Sequence, residues 1–245
     1  MFLFYTETFG TCRLLKNKNA MINQDTLEFY RELRVNNHKE WFDRNRKWYE
    51  AVKKDTLRLT GELLARIQAF DPSLGHLQPK DCIFRINRDI RFSADKTPYK
   101  THIGIFMTPG GRKLDFAGYY VHIDEESGSF AGGGCYMPQA EALKRIRREI
   151  SGFYEDLEMI MNAKPFRTTF GDLDREEGVL LKRPPKGFDA DHPAIEYLKF
   201  KSFTATRELE PKLLTDPKGL DAVVKIMKDL KPLNDFLNRA LRTEA

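Results

Sequence analysis

A chain of 245 residues that is 41% hydrophobic and 12% aromatic has enough apolar side chain for a sizeable core, which excludes a disordered chain and favours one large domain or two small ones. Three cysteines, Cys12, Cys82 and Cys135, form no C-x-x-C pair and are odd in number, so neither a disulfide framework nor a zinc ribbon is expected, and a reducing cytoplasm is the expected setting. The formal net charge is +5, and Lys80–Lys113 alone holds eight Lys/Arg against three Asp, so one segment equals the whole excess and points to an anionic partner there.

The first 20 residues open with a short apolar run whose positive charges follow it, the reverse of a secretory signal. Met21 opens "MINQDTLEFYREL", which reads as a helix start. Residues 1–20 are therefore expected to be a tail or an over-called start, and residues 21–245 a single domain. Leu27, Tyr30 and Leu33 recur at helical spacing over 23–35. Asn37 followed by Glu40 resembles a capping box for a new helix. Trp48, Val52, Leu59, Leu63, Ile67 and Phe70 then form one stripe of a long amphipathic helix over 45–70, ended by "DPSLG". No apolar run approaches the roughly 20 residues of a membrane-spanning helix, so no membrane partner is expected.

The period then changes to two. "CIFRI", "THIGIFMT", "FAGYYVHID" and "SFAGGGCYM" alternate, with the turn chemistry "TPGGRK" and "DEESGS" between them. They predict three or four mostly antiparallel strands over 82–137. In "CIFRI", Cys82, Phe84 and Ile86 should share one face and Ile83 and Arg85 the other; in "GYYVHI", Tyr120 and His122 should oppose Tyr119, Val121 and Ile123. Pro138 is a plausible first helical position for "PQAEALKRIRREI", and a short helix over 153–162 follows. "LKRPPKGFDADHP" reads as a loop, 193–200 as a helix, 202–207 as an extended piece, and 217–230 and 233–242 as helical segments. The expected fold class is α+β: one domain in which helices pack on an antiparallel sheet of three to five strands.

The segment "RINRDIRFSADKTPYKTH", with "NNHKEWFDRNRKWYE" before it and "GYYVHI", "GGGCYMP" and "LKRPPKGFDADHPAIEYLKFKSF" after it, resembles the microbial family catalogued as domain of unknown function 2461. The resemblance covers about residues 22–240, and its motifs are long and in order. It implies a single intracellular domain, with no established activity and no catalytic residues to carry over.

Candidate site residues therefore come from chemistry. In the Arg85–Thr101 connection, Arg85, Arg88, Arg91, Lys96 and Lys100 supply donors, Ser93 and Thr97 hydroxyls, and Tyr99 a ring with a polar tip. Asp89 and Asp95 would tether the cations. Two readings stand: a preorganised pocket for a phosphate or carboxylate, and a salt-bridge lattice that folds a long loop onto the sheet. Arg85, Tyr120 and His122 would extend a polar wall if they face the loop.

An enzyme acting on a phosphorylated metabolite or nucleotide is the alternative, with Asp95 or His122 as proton carrier and Arg88 and Arg91 stabilising negative charge. A module for nucleic acid or protein is the third reading, resting on Trp41, Trp48 and Tyr49 among Arg44, Arg46 and Lys47; core packing is the simpler account of those rings. Three interleaved acids make any nucleic-acid binding weak. The glycines of "GGGCYMP" serve either a phosphate cradle or close packing under a ring such as Trp41, and packing is preferred. His102 and His122 could meet on neighbouring strands and, with an Asp, ligate a metal, but without H-x-H or H-x-x-x-H spacing no metal is expected, nor any cofactor. No G-x-S-x-G elbow and no Cys-His pair is evident.

Overall fold

Asp55 ties the first two long helices together. In the computed structural model, which describes residues 20–111 and 115–242, its carboxylate accepts from the Asn23 N–H and the Thr26 hydroxyl, both at 2.8 Å. This fixes the start of α1 (Gln24–Val35) on α3 (Arg46–Gln68). Arg58, one turn along α3, pairs with Asp55 and donates to the Ala20 and Met21 carbonyls. Ala20, Met21 and Ile22 are buried, and the other residues of the expected tail lie outside the described residues.

Between these helices runs α2 (Lys39–Arg44). Its cap is His38, whose Nδ1 accepts the Trp41 N–H, and not the expected Asn37. Asn37 is engaged elsewhere: its side chain donates to the Tyr99 carbonyl at 2.9 Å and accepts the Tyr99 N–H at 3.1 Å. Phe29, Leu33, Phe42, Val52, Ile86 and Tyr99 form a small second core here, flanked by Trp41, Trp48 and Tyr49.

A short helix, α4 (Pro79–Cys82), leads to the sheet. The expected strand "CIFRI" is reduced to a single bridge, Ile83 to Ile105. Its alternation fails with it: Cys82 and Ile86 are buried while Phe84 is 39% exposed. The sheet is an antiparallel meander of β1 (Ile103–Met107), β2 (Gly118–Ile123), β3 (Ser129–Cys135) and β4 (Phe203–Leu209), in the order β1-β2-β3-β4. Ile103, Ile105, Met107, Tyr119, Val121 and Ile123 face the main core, and Tyr120 and His122 are half-buried on the other face, as alternation requires.

Four helices connect β3 to β4: α5 (Ala140–Gly152), α6 (Tyr154–Asn162), α7 (Lys164–Thr169) and α8 (Ile195–Leu198). After α9 (Pro211–Thr215) the chain ends its described part in α10 (Lys218–Arg242), which packs against β3 and α5. Two segments split at Pro232 were expected, and one continuous helix is found. A helix-interior proline costs about 3 kcal/mol. Here the ring is exposed, and Val223, Met227, Leu230, Leu233 and Leu237 are all fully buried on the opposite side. At about 1.5–3 kcal/mol per buried aliphatic side chain, packing outweighs the lost hydrogen bond. The architecture is one α+β unit among the described residues, and no helix of theirs is long and apolar enough to cross a membrane.

Candidate functional site

The charged connection folds as an irregular hairpin between α4 and β1. Asn87 bridges Tyr99, the Arg88 N–H donates to the Pro98 carbonyl at 2.9 Å, and the Lys100 N–H to the Ile86 carbonyl at 2.8 Å. Tyr99 is the hinge pin: buried, stacked on Phe42 with ring centroids 4.1 Å apart, and held at both backbone polar groups by Asn37. A cleft opens on either side of it.

The larger cleft, of about 600 Å³, lies between the hairpin base and helices α2, α3 and α4. Arg46, Lys53, Lys80, Arg85 and Lys100 line it, with Phe42, Tyr49, Phe84 and Tyr99, and none of its described lining residues is acidic. Lys100 donates to the Arg85 carbonyl at 3.0 Å and lies over the Phe84 ring at 5.3 Å. Burial raises the Tyr49 hydroxyl pKa, so its ring presents a neutral donor.

The smaller cleft, of about 410 Å³, is lined by Arg34, Asn37, Arg88, Asp95, Thr97, Lys100 and His102, with Tyr99 and Thr101. Arg88 is committed to the hairpin: it pairs with Asp95, bonds the Thr97 hydroxyl, donates to the Thr97 carbonyl at 3.1 Å and reaches the Ser93 hydroxyl at 3.4 Å. The Thr97 N–H, then Arg88 and the Thr97 hydroxyl, hold the Asp95 carboxyl down to about 2, so it stays ionised and is a tether, unsuited to carrying a proton at neutral pH. Arg91 grips Asp89 bidentately at 2.9 and 2.7 Å, and Lys96 donates to the Ile90 carbonyl at 3.0 Å. Ser93, Lys96 and Arg91 line neither cleft. The hairpin therefore divides: its tip is a lattice of internal pairs, and its base, Arg85, Tyr99 and Lys100, faces open space.

On the outer face of the sheet, His122 meets the Tyr120 hydroxyl at 3.1 Å through Nδ1, and its ring lies 4.5 Å from that of His102. Burial lowers the His102 pKa to about 4, helped by His122, and burial likewise lowers that of His122. Asp124 lies beside them; burial acts to raise its carboxyl, but the Ser127 N–H and Arg34 override this and hold it below the usual range. Both histidines with an Asp are a candidate set from the sequence, set aside there for want of H-x-H or H-x-x-x-H spacing; the Asp beside them is Asp124. The available signal was H-x-D at 122–124, two residues apart where β2 ends.

Other expectations resolve more simply. Gly132, Gly133 and Gly134 sit inside β3 with ladder partners in both β2 and β4, so their close approach is strand to strand and not beneath Trp41. Trp41, Trp48 and Tyr49 pack around Phe29 and Phe42 in the small core. Ser151 lies 2.8 Å from His192 Nε2, but His192 Nδ1 already accepts the Ala194 N–H. The neutral ring must then carry its proton on Nε2 and donate to Ser151, so this pair has no free base to activate the hydroxyl.

A family model described as a conserved hypothetical protein, DUF2461, matches residues 25–236. The chain belongs to that family. The match spans the hairpin, both clefts and the histidine pair, so the site is part of the family domain. No curated protein gives a significant match, and neither does any solved structure.

Proposed function

We propose that the protein binds a small phosphate- or carboxylate-bearing molecule through the base of the Arg85–Thr101 hairpin, in the larger cleft. One observation carries this: five cationic side chains and four aromatic rings converge on about 600 Å³ with no acid among the described lining residues. That volume falls within the usual few hundred to 1,000 Å³ of ligand pockets. Arg46 pairs with Asp43 and Lys53 with Glu50, but these are exposed pairs of little strength, so both cations remain recruitable. The charges converge on a concavity, whereas a nucleic-acid binder needs them spread along a backbone track. A cytoplasmic setting is part of the proposal and rests on the cysteine pattern alone.

The test is a thermal-shift panel of nucleotides, sugar phosphates and carboxylates. A ligand that binds only the folded state at 100 times its Kd adds about 2.7 kcal/mol of stability. Arg85→Ala and Lys53→Ala should each remove that shift, and Arg91→Ala, outside the cleft, should leave it. Tight oligonucleotide binding that survives about 200 mM salt, with no hit in the panel, would replace this reading with the nucleic-acid one.

A further inference from the structure

The β1–β2 register assembles ligand atoms that are far apart in sequence. Ile103 pairs with Ile123, so one step beyond the ladder His102 stands opposite Asp124, and His122 lies two residues from Asp124 where β2 ends. One ligand atom from each of the three residues lies within 4.8 Å of the others. We propose that His102, His122 and Asp124 form a three-ligand site for a divalent transition-metal ion of the zinc class.

The donor set suits the ion. Two imidazoles and one carboxylate serve zinc, and also iron(II), with coordination positions left open. Ligand atoms at about 2.0–2.2 Å from zinc lie about 3.4 Å apart, so closing the triangle takes side-chain shifts of about 1 Å. Two of the three ligands are also held from behind. Tyr120 Oη can accept the His122 Nδ1–H, which leaves Nε2 for the ion. Asp124 Oδ1 accepts from Arg34 at 2.6 Å, from the Glu126 N–H at 3.1 Å and from the Ser127 N–H at 3.0 Å, which leaves Oδ2 to ligate. Asp124, Glu125 and Glu126 face Arg34 and Arg31 across the same turn, and Lys100 acts on His102 from the hairpin, so the surroundings are near balance and the ion's charge is met by Asp124 itself.

His102 also lines the smaller cleft with Arg34, Arg88 and Lys100, so an ion here would sit at the end of a cation-lined space. Such a centre would give the enzyme reading its chemistry, since bound metal activates water and polarises anionic groups. The inference does not depend on the ligand proposed for the larger cleft. No metal is expected from the sequence because His102 and His122, although on neighbouring strands, lack H-x-H or H-x-x-x-H spacing; a set built across strands needs neither.

The experiment titrates the metal-free full chain with Zn²⁺ by calorimetry at neutral pH, and with Co²⁺ to read its visible d–d bands. One ion per chain is expected. Loss of an outer partner alone costs about 10–100-fold in metal affinity, so Tyr120→Phe should weaken binding about tenfold and His102→Ala, His122→Ala and Asp124→Asn each at least 100-fold. His38→Ala and His192→Ala, at histidines elsewhere, should change nothing. Far-UV circular dichroism and melting of each metal-free variant check its fold, and His102→Asn replaces His102→Ala if the alanine variant melts early. No uptake by the wild-type chain at micromolar Zn²⁺, uptake undiminished in the folded His102 variant, or loss of uptake in His38→Ala would each overturn the site.

Discussion

Gly134 shows how one residue can be required by packing. Its φ is +118°, and a Cβ there would sit 2.0 Å from the Phe203 carbonyl oxygen on β4. Gly128, in the β2–β3 turn, has a φ of +103° but nothing within 4 Å of a Cβ. Backbone strain alone costs about 1–3 kcal/mol, and overpacking against fixed backbone about as much again. Gly134→Ala should therefore destabilise the fold by about 2–6 kcal/mol in denaturant melts, and Gly128→Ala by about 1–3 kcal/mol. Equal losses would show that conformation, and not the contact with β4, sets the requirement. The glycine run was legible as a packing device, although its partner was not. Arg85, Tyr99 and Lys100 were named as candidates from charge and position, and all three line the larger cleft. Arg88 and Arg91 looked equivalent to them, because sequence does not show which carboxylate a guanidinium meets first. Arg46, Lys53 and Lys80 were missed as cleft residues for the same reason: helix spacing places them on a face without saying what that face borders.

Elements were legible where a periodic pattern was long. The stripe of α3 and the alternation of β2 appear as read, because burying one face leaves few ways to satisfy them. "CIFRI" failed because five apolar-rich residues fit the edge of a sheet with one bridge as well as a full strand. Residues 217–242 failed in the opposite sense, since local rules end a helix at Pro232 and tertiary packing carries it through. The ring faces solvent, so replacing it touches little else. Pro232→Ala restores the missing N–H and should raise stability by about 1–3 kcal/mol, less what is lost by a more flexible unfolded chain. Chemical denaturation measures it directly. A fall in stability would mean that the proline shapes α10 against β3.

At the scale of the whole molecule, the domain has a large core under the sheet and a small aromatic one under the hairpin. The clefts belong to the small one. Phe42 and Tyr99, stacked at 4.1 Å, join α2 to the hairpin, and Tyr99 borders both clefts. Cooperative parts of a domain can open at less than the global unfolding energy. The sheet does not depend on them, since Tyr119, Val121 and Ile105 are buried in the other cluster. Phe42→Ala leaves a cavity against Tyr99 and typically costs about 3–5 kcal/mol for a buried phenylalanine. The loss should be local. In hydrogen exchange, the Arg88 and Lys100 amides, which close the hairpin at 2.9 and 2.8 Å, should exchange faster, and the β2 and β3 amides should keep their protection. Any ligand shift that depends on Arg85 should weaken in the same variant, because Phe42 and Tyr99 are walls of that cleft. A uniform rise in exchange across hairpin and sheet would instead make the two cores one cooperative unit, and the site would then be as rigid as the fold itself.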